Sequence, residues 1–136
     1  MTESLLVENT QGAISIMTRL KKLGVTLSID DFGTGYSSLG YLRRFPIDFL
    51  KVDRSFIRDV DKNPKDAAIV RAISALARSL GIGFVAEGVE EVGQAEYLGT
   101  CDCSERQGYL FGRPVPAEEL PEAVSRFGMQ ATRVTA

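Results

Sequence analysis

The chain has 136 residues, a formal net charge of −2 and a hydrophobic fraction of 44%. That suits one modest globular domain and excludes a disordered or collagen-like chain. No basic stripe suits long nucleic acid and no apolar run is long enough to span a membrane. The opening MTESLLVENT lacks the basic and then apolar pattern of a secretory leader, so a cytoplasmic protein is expected.

Histidine is absent, which excludes His-based triads, His general bases and nearly every His-containing zinc site. Cys101 and Cys103 are the only cysteines. They are too few for a structural zinc site and read as unpaired, reduced thiols. Any catalysis must therefore draw on carboxylates, Lys, Arg, Ser, Thr or Tyr, with a hard metal ion as an option.

In chain order, residues 9–24 read as a helix with Ala13, Ile16, Met17, Leu20 and Leu23 at helical spacing, capped by Asn9 or Thr10 and closed by Gly24. VTLSID, residues 25–30, suits a buried strand. Residues 34–44 read as a glycine-rich turn and a short helix closed by Pro46, and DFLKVD, residues 48–53, as a second strand. Asn63 and Pro64 form a cap followed by proline at the first helical position. That helix runs through Ile69, Val70, Ile73, Leu76, Ala77 and Leu80 to Gly81. Residues 82–86 read as a third strand, 90–98 as a short helix, 108–111 as a weaker fourth strand and 116–127 as a final helix. Strict alternation of helix and strand implies parallel strands with right-handed crossovers.

Polar residues gather where these strands end: Asp30 and Asp31, then Lys51 and Asp53, then Glu87 and Glu90, with Gln107 near the start of the fourth. Sites in parallel α/β folds lie at the carboxyl ends of strands, which places Asp30, Asp31, Lys51, Glu87 and Gln107 on one rim. Converging carboxylates repel one another unless a cation holds them, and oxygen donors without His or Cys favour Mg²⁺ or Mn²⁺. Two such ions about 4 Å apart suit phosphodiester displacement, and a lysine among them adds a point charge. Taken singly, each residue also has an ordinary reading. Asp30 and Asp31 can cap a turn, Lys51 can snorkel, and Glu90 can be a helix-start carboxylate. Gln107 alone carries no information.

Four segments carry a family resemblance: DDFGTGYSSL from Asp30, LKVDRSFI from Leu50, AEGVE from Ala86 and QGYLFGRP from Gln107. In order and spacing they resemble successive motifs of EAL domains, the cyclic di-GMP phosphodiesterases. The resemblance implies an α/β fold, the C-terminal portion (about half) of a TIM-type (β/α)8 barrel. It implies two Mg²⁺ or Mn²⁺ ions in the full domain and hydrolysis of cyclic di-GMP to linear pGpG by a metal-activated water. On that resemblance Asp30 and Asp31 are metal ligands and Lys51 positions the attacking water. Glu87 is a metal-site carboxylate or base, Glu90 supports it, and Asp53 and Gln107 belong to the same site. Gly33, Thr34, Gly35, Tyr36, Ser37 and Ser38 resemble the loop that couples the metal site to a dimer interface, and Glu3, within Thr2-Glu3-Ser4, resembles the residue that steadies it.

In this register the family's first metal-binding Glu falls one position ahead of Met1, and the Glu-Ala-Leu signature and an Asn ligand fall further upstream. Residues 1–128 are therefore expected to be a truncated domain running from the end of barrel strand four, with 129–136 as a disordered tail. Such a fragment is expected to bind the ions weakly or not at all, to be inactive alone, and to form a homodimer or associate with the missing barrel half. The alternative is a catalytically inactive EAL-like module that binds cyclic di-GMP or a protein partner.

Overall fold

The computed structural model describes residues 10–34 and 39–131. Helix α1 (Thr10–Lys22) leads to strand β1 (Ser28–Phe32), the short α2 (Leu39–Leu42) and β2 (Phe49–Val52). A single turn, α3 (Arg54–Ile57), precedes the long α4 (Pro64–Leu80) and β3 (Gly83–Glu87). Then come α5 (Val92–Gly99), β4 (Glu105–Gln107), a 3₁₀ turn (Ala117–Glu119) and α6 (Leu120–Ala131). The strands form one parallel sheet in the order β1-β2-β3-β4, as the alternation implies.

Pairing register sorts the strand residues onto two faces. Leu50 pairs with Phe84 and Val52 with Ala86. All four are buried, in one core cluster with Val70, Ile73 and Ala77 of α4. The alternate positions put Lys51 beside Val85 and Glu87 beside Gln107 on the opposite face, because successive strand side chains alternate. β3 is buried at three consecutive positions, Phe84, Val85 and Ala86, as a parallel strand covered on both faces should be.

Helix α4 begins and ends where its sequence says. The Asn63 side chain accepts from the Lys65 backbone N–H at 3.0 Å, Pro64 follows at the first position, and Gly81 closes the helix in the left-handed conformation (φ 70°). Other boundaries differ from expectation. β1 starts later than 25–30 and runs on to Phe32. The fourth strand is Glu105–Gln107, not 108–111. The segment after Gln107 folds back instead, with Phe111 and Gly112 donating to the Gly108 carbonyl. The expected helix over 90–98 starts at Val92, and α6 continues to Ala131, into the stretch 129–136 expected to be a tail. α3 has no counterpart in the sequence reading.

The apolar stripe of α1 is only partly covered. Met17 is buried, whereas Ile16, Leu20 and Leu23 are exposed, as are Leu120 and Val124 of α6. Cys101 is buried and Cys103 partly buried, both as free thiols. Burial pushes the Cys103 thiol above its ordinary value, which disfavours the reactive thiolate. No helix among the described residues is long and apolar enough to cross a membrane.

Asp48 ties α1 to the sheet. Its carboxylate accepts from Lys21 Nζ at 2.7 and 2.8 Å and from the Leu27 backbone N–H at 2.7 Å. The Lys21 hydrogen bond, helped by the Leu27 amide, holds the Asp48 carboxyl below its usual value of 3.8. A depressed acid contributes stability above its unfolded pKa and loses it as pH falls through the folded one. Urea unfolding at stepped pH should therefore show Asp48's stabilising contribution lost as pH drops through 3.8 and below. In Asp48→Asn that part of the acid loss should disappear and stability at neutral pH should be lower.

Candidate functional site

The face opposite α4 carries the titratable cluster. Lys51, penultimate in β2, donates from Nζ to Asp30 Oδ1 of β1 at 2.9 Å and also pairs with Glu87 Oε1, at the end of β3. Gln107, the last residue of β4, donates from Nε2 to Glu87 Oε1 at 2.8 Å. One ammonium thus bridges two strands' carboxylates, and an amide from the fourth strand completes the row. Gln107 was expected near the start of its strand. It closes that strand, and so reaches the same rim.

Asp31 joins this row through an irregularity in β1. Ile29 pairs with Leu50 and Phe32 with Val52, so two residues of β1 lie between positions that only Lys51 separates on β2. Ile29 and Phe32 are both buried in the core cluster. The extra residue is a β-bulge, and Asp31 adopts φ 55° within it. Ordinary alternation would send two consecutive aspartates to opposite faces. Here Asp30, Asp31 and Glu87 each offer a carboxylate oxygen, all within 4.8 Å of one another. The left-handed conformation costs a non-glycine residue roughly 1–2 kcal/mol, and Asp tolerates it better than most. The turn that follows is closed by Thr34, whose Oγ1 and N–H both donate to the Asp31 carbonyl, at 2.8 and 3.3 Å.

Burial pushes the Lys51 ammonium down in pKa. Its hydrogen bonds to Glu87 and Asp30 outweigh it and hold the group above its ordinary 10.5, so it stays charged at neutral pH. An all-oxygen donor set of three carboxylates fits a hard divalent cation such as Mg²⁺ or Mn²⁺ and suits a soft one poorly.

The remaining expected residues fall differently. Asp53 lies one residue past β2 and caps α3, accepting from the Ser55 N–H at 3.0 Å; the Ser55 side chain first, and this amide second, hold its carboxyl below 3.8. Glu90 sits in the loop after β3 and lines a cavity of about 800 Å³ beside the row, with Arg54, Arg106, Gln107, Tyr109 and Arg113. The Arg113 guanidinium stacks 4.4 Å from the Tyr109 ring centroid. Gly33 and Thr34 form the turn after β1, while Glu3, Gly35, Tyr36, Ser37 and Ser38 lie outside the described residues. Sequence reasoning missed the bulge, the cavity's arginines and a buried glutamine, Gln94. The bulge did leave a signal, since Ile29 and Phe32 stand three apart where core positions of a regular strand are two apart.

A family model of the EAL domain matches residues 1–114, and the chain belongs to the EAL domain family. It is 50% identical over 131 residues to the cyclic di-GMP phosphodiesterase NbdA of Pseudomonas aeruginosa, covering 96% of this chain and 17% of NbdA. The structure of the PaMucR phosphodiesterase in its c-di-GMP complex matches with a TM-score of 0.83 at 50% identity, over 88% of this chain and 49% of that one. A manganese/cyclic di-GMP complex of Klebsiella pneumoniae BlrP1 matches with a TM-score of 0.75 at 37% identity, over 83% and 29%. The chain thus spans about half, or less, of the proteins it matches. EAL domains are TIM-barrel-like, and the four parallel strands are a portion of that barrel.

Gly108 sets how closely β4 meets the loop after β3. A Cβ there would lie 2.1 Å from the Val89 carbonyl oxygen and 2.3 Å from its nitrogen. The Val89 N–H donates to the Gln107 carbonyl at 3.1 Å, so this approach seats Gln107 beside Glu87. Gly108→Ala should cost about 1–3 kcal/mol by overpacking against rigid backbone. The check is a lower urea midpoint, with no comparable shift in Gly112→Ala, where a Cβ meets nothing within 4 Å.

Proposed function

We propose that this chain is the C-terminal part of a cyclic di-GMP phosphodiesterase domain, hydrolysing the dinucleotide to linear pGpG in the full domain. The observation that carries the reading is the convergence of Asp30, Asp31 and Glu87 around Lys51 in a chain of the EAL family. Asp30, Asp31 and Glu87 would hold Mg²⁺ or Mn²⁺, which when bound supplies Lewis-acid polarisation of a phosphodiester. Their three carboxylates offer nothing to a substrate anion by themselves, so the cation and Lys51 are what make the row attractive to a phosphate.

The residues divide the work as follows. Water adds to one phosphorus, the bridging P–O3′ bond breaks, O3′ leaves as the 3′-hydroxyl by taking a proton from solvent, and the product keeps a 5′-phosphate. Lys51 remains protonated, orients the attacking oxygen and offers its charge to the phosphate oxygens as negative charge develops. Glu87 accepts the proton lost by water, and Gln107, donating to Glu87 Oε1, fixes the direction of that carboxylate. Glu90 and the cavity beside the row receive the rest of the dinucleotide. Arg54 and Arg113 suit its phosphates and the Tyr109 face suits a base. Asp53 supports the site indirectly, by starting α3 immediately after the strand that presents Lys51. Every rim position that the family motifs require within this chain is present, which favours an enzyme over an inactive binding module.

The activity belongs to the full domain. Chromatography of cyclic di-GMP incubated with Mn²⁺ should show pGpG from the full domain and none from residues 1–136 alone. Within the full domain, Glu87→Gln should lower kcat by on the order of 10²–10⁴, the usual share of a general base, and Lys51→Met by about 10². Family-like turnover by the isolated chain would refute the restriction to the full domain, and an active Glu87→Gln domain would refute the role of Glu87.

The exposed apolar residues of α1 and α6 support a second element of the reading: these faces pack against the remainder of the barrel or against another copy of the chain. Light scattering after size exclusion should show the isolated chain as a dimer or larger. Added barrel half should convert it to a one-to-one complex. A monodisperse monomer indifferent to that half would count against the packing.

A further inference from the structure

We infer that Gln94 is a positioning residue, a brace that holds the loop carrying Glu90, and with it the end of β3 carrying Glu87, at a set distance from the segment that follows Lys51. The inference deepens the phosphodiesterase reading and rests on it for its consequence, although the brace itself is a matter of geometry. Gln94 is a polar side chain only 2% exposed, in the first turn of α5. Its Oε1 accepts from the Glu90 N–H at 2.7 Å and from the Glu91 N–H at 3.0 Å. Its Nε2 donates to the Arg58 carbonyl at 2.8 Å, across 36 residues of sequence.

A helix start needs only one such contact. The Glu91 N–H would satisfy the reciprocal half of a capping box, and that alone would be an ordinary helix device. The bond to Glu90 extends the grip one residue toward the rim, and the bond to Arg58 is no part of helix capping. Arg58 is the C-cap of α3, which begins two residues beyond Val52 and so follows directly from the strand bearing Lys51. The same two segments also meet at Gly88, where a Cβ would lie 2.5 Å from Arg54 Cβ. On its other side the loop is held by β4, through Val89 to Gln107 and Leu110 to Val89. Gln94 therefore completes a loop clamped on both flanks. A buried amide with both oxygen lone pairs used has little freedom to yield, because losing any partner strands a buried polar group.

The consequence is directional. Without the brace, Glu87 and Glu90 drift relative to Asp30 and Asp31, whose positions depend on the β1 bulge and not on α5. Two measurements on the chain as it stands test this. In Gln94→Met, amide hydrogen exchange at Glu90 and Glu91 should accelerate about tenfold or more, while Val70 and Ile73 of α4 keep their protection. Paramagnetic broadening by Mn²⁺, which registers even weak binding, should strike Asp30, Asp31 and Glu87 together in the parent chain. In the variant the Mn²⁺ concentration that half-broadens Asp30 and Asp31 should rise several-fold, because Glu87 no longer joins them as a donor.

Unchanged exchange at Glu90 and Glu91 overturns the brace, and an unchanged Mn²⁺ midpoint in the variant overturns its positioning role. If Gln94→Met does not fold, Gln94→Glu serves, since it keeps acceptor oxygens for both N–H groups. It loses the donor to the Arg58 carbonyl, so exchange at Glu90 and Glu91 should still accelerate, and unchanged exchange there overturns the brace too. Absence of broadening in the parent chain sinks the metal-site reading instead, and exchange alone then decides the brace.

Discussion

The site depends on one constraint, the register of the parallel sheet, broken at a single place. In-register pairing sends Leu50, Val52, Phe84 and Ala86 to the α4 side and leaves Lys51, Glu87 and Gln107 on the other. Ile29 and Phe32 obey the same rule, but with two residues between them where the rule allows one. The bulge lets the core keep both apolar anchors and still delivers two consecutive carboxylates to one rim. The strain at Asp31 is local and the burial of Ile29 and Phe32 is not negotiable, so the backbone yields at the aspartate.

Electrostatics then follows from position. Three carboxylates within 4.8 Å would repel one another in the folded chain, and Lys51 is the countercharge the fold provides from within. Lys51 is anchored on the central β2, between the strands of its two partners, so its contacts bind the sheet together as well as neutralise the rim. A divalent cation among the same oxygens suits this balance, since it adds charge where the carboxylates outnumber the ammonium.

Much of this was legible in the sequence. The cap Asn63, Pro64 and terminal Gly81 bounded α4, and the segments 48–53 and 82–86 marked the two central strands to within a residue, because local chemistry and tertiary burial agreed there. The fourth strand was misplaced for a physical reason. Glu105, Arg106 and Gln107 are all exposed, so the strand has no apolar pattern, and the apolar signal of Tyr109, Leu110 and Phe111 belongs to a turn packed under the cavity. Asp53 looked like a strand-end carboxylate and is a helix cap, a distinction that needs the backbone to decide. Gln94 was invisible because a glutamine on a helix is ordinarily a solvated residue, and only its three-way hydrogen bonding identifies it.

The charge of β4 has a consequence for how this chain behaves in company. Among the described strands it is an edge, only three residues long, with an acid and a base side by side and all three residues exposed. An edge of that kind is a poor template for another strand, since a newcomer gains few ladder bonds and meets charge at once. The apolar stripes that invite contact lie on helices instead, and helix faces saturate once a partner covers them. Encounters between copies should therefore run through those helix faces more readily than through the β4 edge.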